Sequence, residues 1–409
     1  MKRLLVLTLA LILSASFAQT NLRLALYPDL DSHLDVVLTE FLLENPDVTV
    51  EIIRREHGDH HNGLVTELAA GSGAADVVAL DVEFVARFLA SGALTDLSQE
   101  PFNAGQFEDL YAPYAWSQIA SADGRVVALP GDLGPGVLFL RRDVLDQVGW
   151  SVDEVVASWD SYLDYGRAVR ANTDSYLMTN ANDVARAFWQ SGVPEGEGFF
   201  FDADGTNTVT SDRFVRAFEL AKTIRDEGLD AQIGDWSNEW YEAFNQGTGA
   251  TQFSGAWLLG HLQNWMAPDT AGLWVTSHFP EETYGSWGGT HYAIPEQSSN
   301  KEAAWELVKF LSTRPEIQLS AFETTAAFPA VTSTYNDPIF GEPIAFLGGQ
   351  EARRLFAEIA TRVPQVSVNE HDQIALEIVQ SALTEVLNDG RDIESALQDA
   401  SDQINRRAR

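Results

Sequence analysis

Between residues 20 and 81 the apolar period switches back and forth between two and three-to-four. Leu22, Leu24 and Leu26 alternate as a half-buried strand does. Leu34, Val37, Leu38, Phe41 and Leu42 then recur at helical spacing, and Asn45-Pro46 stops them. Val48, Val50 and Ile52 alternate again. A second helix is expected over Asn62–Ala70, ending near Gly71, before the continuous apolar run Val77-Val78-Ala79-Leu80 and Asp81. A strand that is apolar at every position needs cover on both faces. The order strand, helix, strand, helix, strand therefore predicts an α/β fold with a mostly parallel sheet.

The pattern continues down the chain. Val126–Pro130 and Val137–Leu140 read as two short strands with a turn at Gly131, followed by a helix over Arg141–Val148 that stops at Gly149. Helices are expected at Trp159–Arg170, Phe214–Gly228, behind Ser299 and Glu302 (a capping-box spacing), from Ile374 to Gly390, and from Asp392 to Ile404. Residues 188–209 read as long loops and a hairpin. No internal repeat or long flexible linker separates these pieces.

Lys2-Arg3, the apolar run Leu4–Leu13 and the small residues Ser16 and Ala18 form a signal-peptide pattern with a cut expected before Gln19. The run is short for a membrane-spanning helix. The mature chain is thus expected in the periplasm or extracellular space, with no direct membrane insertion. Without the leader, a chain of 409 residues is still long for one core, which points to two lobes. Cysteine is absent, which removes disulfides, thiolate chemistry and the usual attachment point of a lipid anchor. A net charge of −34 disfavours nucleic acid and anionic lipid as partners.

The usual nucleotide-binding, hydrolase and metalloprotease motifs do not occur. No catalytic residue or cofactor is predicted. With 60 carboxylates, counting alone does not exclude a secreted glycan-active enzyme, because a Glu/Asp pair can arise anywhere in the fold. His57-Gly58-Asp59-His60-His61 has ligand types suited to zinc, and a metal-binding transport receptor is a further alternative. A ligand-facing loop or an ordinary polar surface explains the same residues, and no metal ligand is assigned. Asp202-Ala203-Asp204-Gly205 opens like a calcium loop, but Arg213 stands at the twelfth position, where that loop needs an acid, so a turn is expected.

Tryptophan is more informative. Trp236, Trp240, Trp257, Trp265, Trp274 and Trp287 fall in one stretch rich in Gly and Asn. Indole faces stack on the apolar faces of sugar rings, while nearby polar groups hold hydroxyls. A neutral sugar suits the group and the charge better than an anion or a metal.

Several ordered segments carry a family likeness: Phe41-Leu42-Leu43-Glu44-Asn45-Pro46, Leu68 to Asp81, Gly92 to Leu97, Ala128 to Pro135, Ser254-Gly255-Ala256-Trp257, Trp287-Gly288-Gly289, Ala293-Ile294-Pro295, Asn300 to Leu311 and Phe328-Pro329-Ala330. Together they span most of the mature chain. Their order and spacing resemble extracellular solute-binding protein family 1, the carbohydrate-type substrate-binding proteins of bacterial ABC importers. The resemblance implies a two-lobed periplasmic-binding-protein-like fold of type II, with ligand in the cleft and several hinge crossings. It implies a signal peptide at 1–18, one lobe from 19–131 plus about 291–330, and another from about 132–290 plus 331–409. It also implies a monomer that carries a sugar to permease subunits. On that likeness Asp81, Asp132, Trp257, Trp287 and Gly288 are expected at the ligand, His57 lies where polar groups are often supplied, and the tryptophan cluster adds Trp236 and Trp240 as candidate ligand residues. Gly131 stands where many relatives carry an aromatic residue.

Overall fold

The computed structural model describes residues 19–408 apart from residues 29, 122 and 195. The expected leader at 1–18 lies outside the described residues. Strand β1 (Thr20–Leu26) pairs in parallel with β2 (Val48–Arg54) and with β3 (Val77–Asp81). Helices α1 (Leu30–Glu44) and α2 (His57–Ala69) are the crossovers, and α3 (Val82–Ser91) follows β3 directly. Val77 to Leu80 are fully buried, as a strand covered on both faces requires.

The remaining strands are β4 (Ala128–Arg141), β5 (Tyr176–Met178), β6 (Gly249–Gly255), β7 (Trp274–Ser277), β8 (Ser286–Ala293) and β9 (Phe328–Pro329). The strand order is β2-β1-β3-β8-β4-β6-β5, with β7 and β9 also pairing with β4. The parallel expectation holds for β1 to β3 and for β5 with β6; the pairings of β8 and β4 are antiparallel. Strand β8 arrives from a distant part of the sequence, so no local crossover fixes its direction.

The two short strands expected around Gly131 are one strand of 14 residues. Register shifts at Pro130/Asp132 and Leu133/Pro135 take the place of the turn. Proline has no N–H for a ladder, and a bulge is where a strand tolerates it. A Cβ on Gly131 would lie 2.5 Å from Tyr292 Cε2, so the Tyr292 ring occupies the space that a side chain at 131 would need.

Strand β4 joins two cores. Its first half pairs with β8 and β9, its second with β6 and β7. At the crossing, a Cβ on Gly134 would lie 2.0 Å from Trp287 O, so only glycine allows β4 and β8 to touch there. The first core gathers Leu24, Val78, Leu129, Val308 and Phe328, and also Phe340, Phe346 and Phe356, although the 331–409 stretch is expected wholly with the other lobe. The second gathers Leu140, Trp159, Phe218, Phe253, Val379 and Leu397. Trp257 packs against both.

Three local readings change. Helix α2 begins at His57 rather than Asn62, so the histidine cluster is helical. The helix Lys301–Thr313 has no side-chain cap, and Ser299–Glu302 is not its capping box. Neighbouring side chains are committed elsewhere: Ser298 Oγ and Asn300 Nδ2 both donate to Asp76 Oδ1, at 2.7 and 3.2 Å. Helix Asn182–Gln190 takes in the start of the segment read as loop from 188 onward, while Phe201 and Asn207 form the expected hairpin bridge.

Candidate ligand-binding cleft

Three groups of side chains meet where β3, β4 and β8 leave the first lobe. Thr290 of β8 stands in register between Asp81 of β3 and Asp132 of β4. Its Oγ1 is 2.7 Å from the Tyr27 hydroxyl, and its backbone N–H donates to Asp132 Oδ1 at 3.2 Å. Asp81 ends β3 and caps α3: its Oδ1 accepts from Glu83 N at 3.0 Å, and its Oδ2 faces His57 Nε2 at 3.4 Å. Burial works against the Asp81 carboxylate, but the hydrogen bond and charge of His57, aided by the Glu83 N–H, hold its pKa below the usual value. Burial likewise opposes a charged His57, yet the Asp81 hydrogen bond and the charges of Asp81 and Glu83 raise its pKa.

The other two histidines serve the fold. His60 Nε2 donates to Ala79 O at 2.7 Å, and His61 Nε2 accepts from Asp81 N at 3.0 Å. His61 also stacks on Phe84, with ring centroids 4.1 Å apart. Both are buried, because the helix from His57 turns them inward against β3. Among the described residues no group of three or more His, Asp or Glu is placed to hold a metal ion.

The second group is aromatic. Trp236 stacks on Trp257 with centroids 5.8 Å apart and planes 17° apart, and it is 54% exposed. Its φ of +60° is unusual for a bulky side chain. Trp257 Nε1 donates to Trp287 O at 2.8 Å, which fixes the indole against the crossing strand. His261 packs edge-on against both Trp236 and Trp257. Trp240, expected at the ligand, is 3% exposed and packs edge-on with Phe244, because its helix turns that face inward. It supports Trp236 from behind.

The third group lies between the lobes. A cleft is lined by Glu83 and Ala86 of α3, Gln118, Arg186 and Gln190 of the Asn182–Gln190 helix, Gly288, and Asp372 and Gln373 of the helix Asp372–Asp389. Arg186 pairs with Glu83 across the cleft, and its guanidinium carbon lies 4.3 Å over the Trp287 ring. Asp132 does not face this cavity. It lines a smaller one with Leu30, His33, Tyr292 and Gln318. Asp132 and Trp257 both border the Gly288–Thr290 stretch of β8: the Thr290 N–H donates to Asp132, and a Cβ on Gly288 would lie 3.0 Å from Trp257 Nε1. Burial pushes the Asp132 carboxyl up to about 7 against the lowering effect of the Thr290 hydrogen bonds, and the nearby Asp81 charge adds to the rise.

Residues 37–346 match the model of the bacterial extracellular solute-binding proteins. The chain belongs to that family. It is 25% identical over 343 residues to the lactose-binding protein of Rhizobium radiobacter, covering 80% of this chain and 78% of that one. It is 21% identical over 376 residues to the arabinooligosaccharide-binding protein of Halalkalibacterium halodurans, covering 88% and 83%. Among solved structures, a family 1 extracellular solute-binding protein superposes with a TM-score of 0.83 at 22% identity, covering 95% of this chain and all of that one. The binding protein from B. animalis subsp. lactis in complex with β-1,6-galactobiose gives 0.79 at 21% identity, covering 94% and 96%. These likenesses establish the two-lobed α/β fold.

Membership makes this solute-binding protein a carrier of ligand rather than a catalyst. The sequence reading did not single out Glu83, Gln118, Arg186, Gln190, Asp372 or Gln373. Asp372 opens a helix, which is a weak signal, and the others carry no local signal at all.

Proposed function

We propose that this protein binds a neutral carbohydrate between its lobes, outside the cytoplasm, and hands it to the permease subunits of an ABC importer. The carrying observation is the half-exposed indole pair Trp236–Trp257, whose flat apolar surface suits the face of a sugar ring. Asp81, at the end of β3, adds an acceptor suited to hydroxyl donors and a negative charge that repels anions. The relatives point the same way, since three of them are lactose-, arabinooligosaccharide- and maltotriose-binding proteins. In this reading residues 1–18 are a cleaved leader and the mature monomer carries no lipid. The lobes, 19–131 with about 291–330 and about 132–290 with the C-terminal part of 331–409, close about β4 and β8. Ligand binding favours the closed form, which docks on the permease.

A thermal-shift screen tests the ligand class, because a ligand that binds only the native state raises its melting temperature. Mono- and oligosaccharides should give the shifts. Shifts with zinc or calcium alone, or turnover of a glycoside panel, would overturn the proposal. Mass spectrometry of ligand retained through gentle purification would identify the sugar.

A further inference from the structure

Behind the indole pair lies a closed ring of contacts that includes two acids. Asp183, in the first turn of the helix Asn182–Gln190, is 5% exposed. Its Oδ2 accepts from Gln252 Nε2 at 2.7 Å, and its carboxyl shares a hydrogen bond with that of Asp235. Asp235 belongs to the exposed loop that carries Trp236. Gln252 Oε1 accepts in turn from Thr179 Oγ1 at 3.0 Å and from Trp240 Nε1 at 3.4 Å, and the Trp240 ring packs on Trp236 with centroids 5.3 Å apart. Trp236 is thus held twice, through its chain neighbour Asp235 and through the ring of Trp240. A bulky residue keeps a φ of +60° only where its surroundings over-determine it, and this ring of contacts does so.

Two carboxylates have no hydrogen to place between them, so a hydrogen bond joining them requires a proton on one. Burial, with the Asp235 charge adding to it, pushes the Asp183 carboxyl well above the usual range against the lowering effect of the Gln252 hydrogen bond. That puts the proton on Asp183. The other ionisable groups nearby are committed. Arg186, one turn along the same helix, faces the pair but is bound to Glu83. The Tyr162 hydroxyl is bonded to Thr251 Oγ1, and Asp230, which accepts from Ala181 N, is paired with Arg225. His261 packs edge-on against the indoles themselves.

We propose that Asp183 is a positioning residue for sugar binding: the proton it shares with Asp235 holds Trp236 in the stacking wall, and loss of that proton loosens the indole and weakens the grip on sugar. This rests on the carbohydrate reading and adds a pH control to it. The wall is set while the proton is present. As pH rises and the proton leaves, two carboxylates face each other beside a buried network and repel. Asp235, on the exposed loop, is the side that yields, and Trp236 moves with it.

Infrared spectra of the ligand-free protein should contain a protonated-carboxyl C=O component that is missing in Asp183→Asn. The indole N–H resonance of Trp236, assigned by its loss in Trp236→Phe, should shift as that component fades with rising pH. Calorimetry with lactose, arabinobiose and maltotriose from about pH 5 to about pH 10 gives the binding readout. Any of them that binds should lose about 10-fold in affinity over the interval in which the component fades, and should keep its affinity where the component persists. Asp183→Ala should weaken that sugar by about 10-fold. Asp183→Asn, whose amide can donate to Asp235 and accept from Gln252, should restore the affinity to within about 3-fold and hold it as pH rises. His261 is untouched in that variant, so the pH dependence it removes belongs to the pair. If Asp183→Ala does not fold, Asp235→Ala on the exposed loop cuts the same link. An asparagine variant that binds as weakly as the alanine one, or a parent affinity that holds while the component fades, would overturn the inference and leave the carbohydrate reading intact. If none of the three sugars binds, the carbohydrate reading falls, and a Trp236 resonance that stays fixed while the component fades would overturn the positioning role as well.

Discussion

Arg186 and Glu83, 103 residues apart in sequence, join the two lobes: the guanidinium ion-pairs with the carboxylate and covers the Trp287 ring at 4.3 Å. Both side chains are mostly shielded from water, so the contact gains more than a surface pair would and loses more when one partner is removed. Arg186 is held further by Nε donating to Gln190 Oε1 at 3.4 Å. The pair with Glu83 exists only when the lobes meet, whereas the contact with Trp287 lies within the second core.

Removing the pair should therefore open the molecule. Arg186→Leu leaves Glu83 facing the cavity without its counter-charge and should shift the closed–open balance by about 1–3 kcal/mol toward open. Solution scattering of the ligand-free variant should give a larger radius of gyration than the parent. Glu83→Gln should act in the same direction and more weakly, because a hydrogen bond to Arg186 survives. An unchanged radius in both variants would show that other contacts hold the lobes.

Trp236 and Trp257 should separate under mutation. Trp257→Ala removes a ring packed against both cores and should cost about 2–4 kcal/mol of stability as well as sugar affinity. Trp236→Gly should weaken sugar binding while raising stability by about 1 kcal/mol, because glycine takes a φ of +60° without the strain borne by the indole residue. Thermal melts beside calorimetry check both. A Trp236→Gly variant that melts below the parent would refute the strain argument.

Asp132 makes a pH prediction with a definite sign. Its folded-state pKa of about 7 lies above the usual carboxylate value, so the folded state binds the proton more tightly than the unfolded chain. The favourable contribution is full at low pH and is lost as pH rises from about 4 to about 7. Asp132→Asn, with no charge to bury, should remove this slope and be more stable than the parent above pH 7 by on the order of 2 kcal/mol. Denaturant melts between pH 4 and pH 8 measure it.

Asp81 opposes that slope, whereas His57 runs in the same direction at higher pH. The raised His57 pKa stabilises the fold below the unfolded histidine value, and the effect is lost as pH rises through the folded value. The lowered Asp81 pKa stabilises the fold above the unfolded carboxylate value, and the effect is lost as pH falls through the folded one. His57 is half-exposed, so solvent limits its share to a few tenths of a kcal/mol. Asp81→Asn should lower the His57 pKa measured by NMR titration; an unmoved value would rule out the pair.

The sequence by itself determined the local elements and the family. Alternating leucines made β1, the helical repeat at Leu34 to Leu42 made α1, and the apolar run at Val77 made a strand buried on both faces. Each of these patterns records which side of an element is apolar, and that information lies within a few residues. The tertiary structure alone decided what stands opposite what. The register of β8 between β3 and β4 put Thr290 against both Asp81 and Asp132, the early start of α2 put His60 and His61 inside, and the meeting of α3 with two distant helices brought Glu83 to Arg186 and placed Asp372 and Gln373 on the same cavity. Those outcomes follow from register and packing between segments far apart in the chain, and periodicity along one segment carries no record of its partner across the cleft.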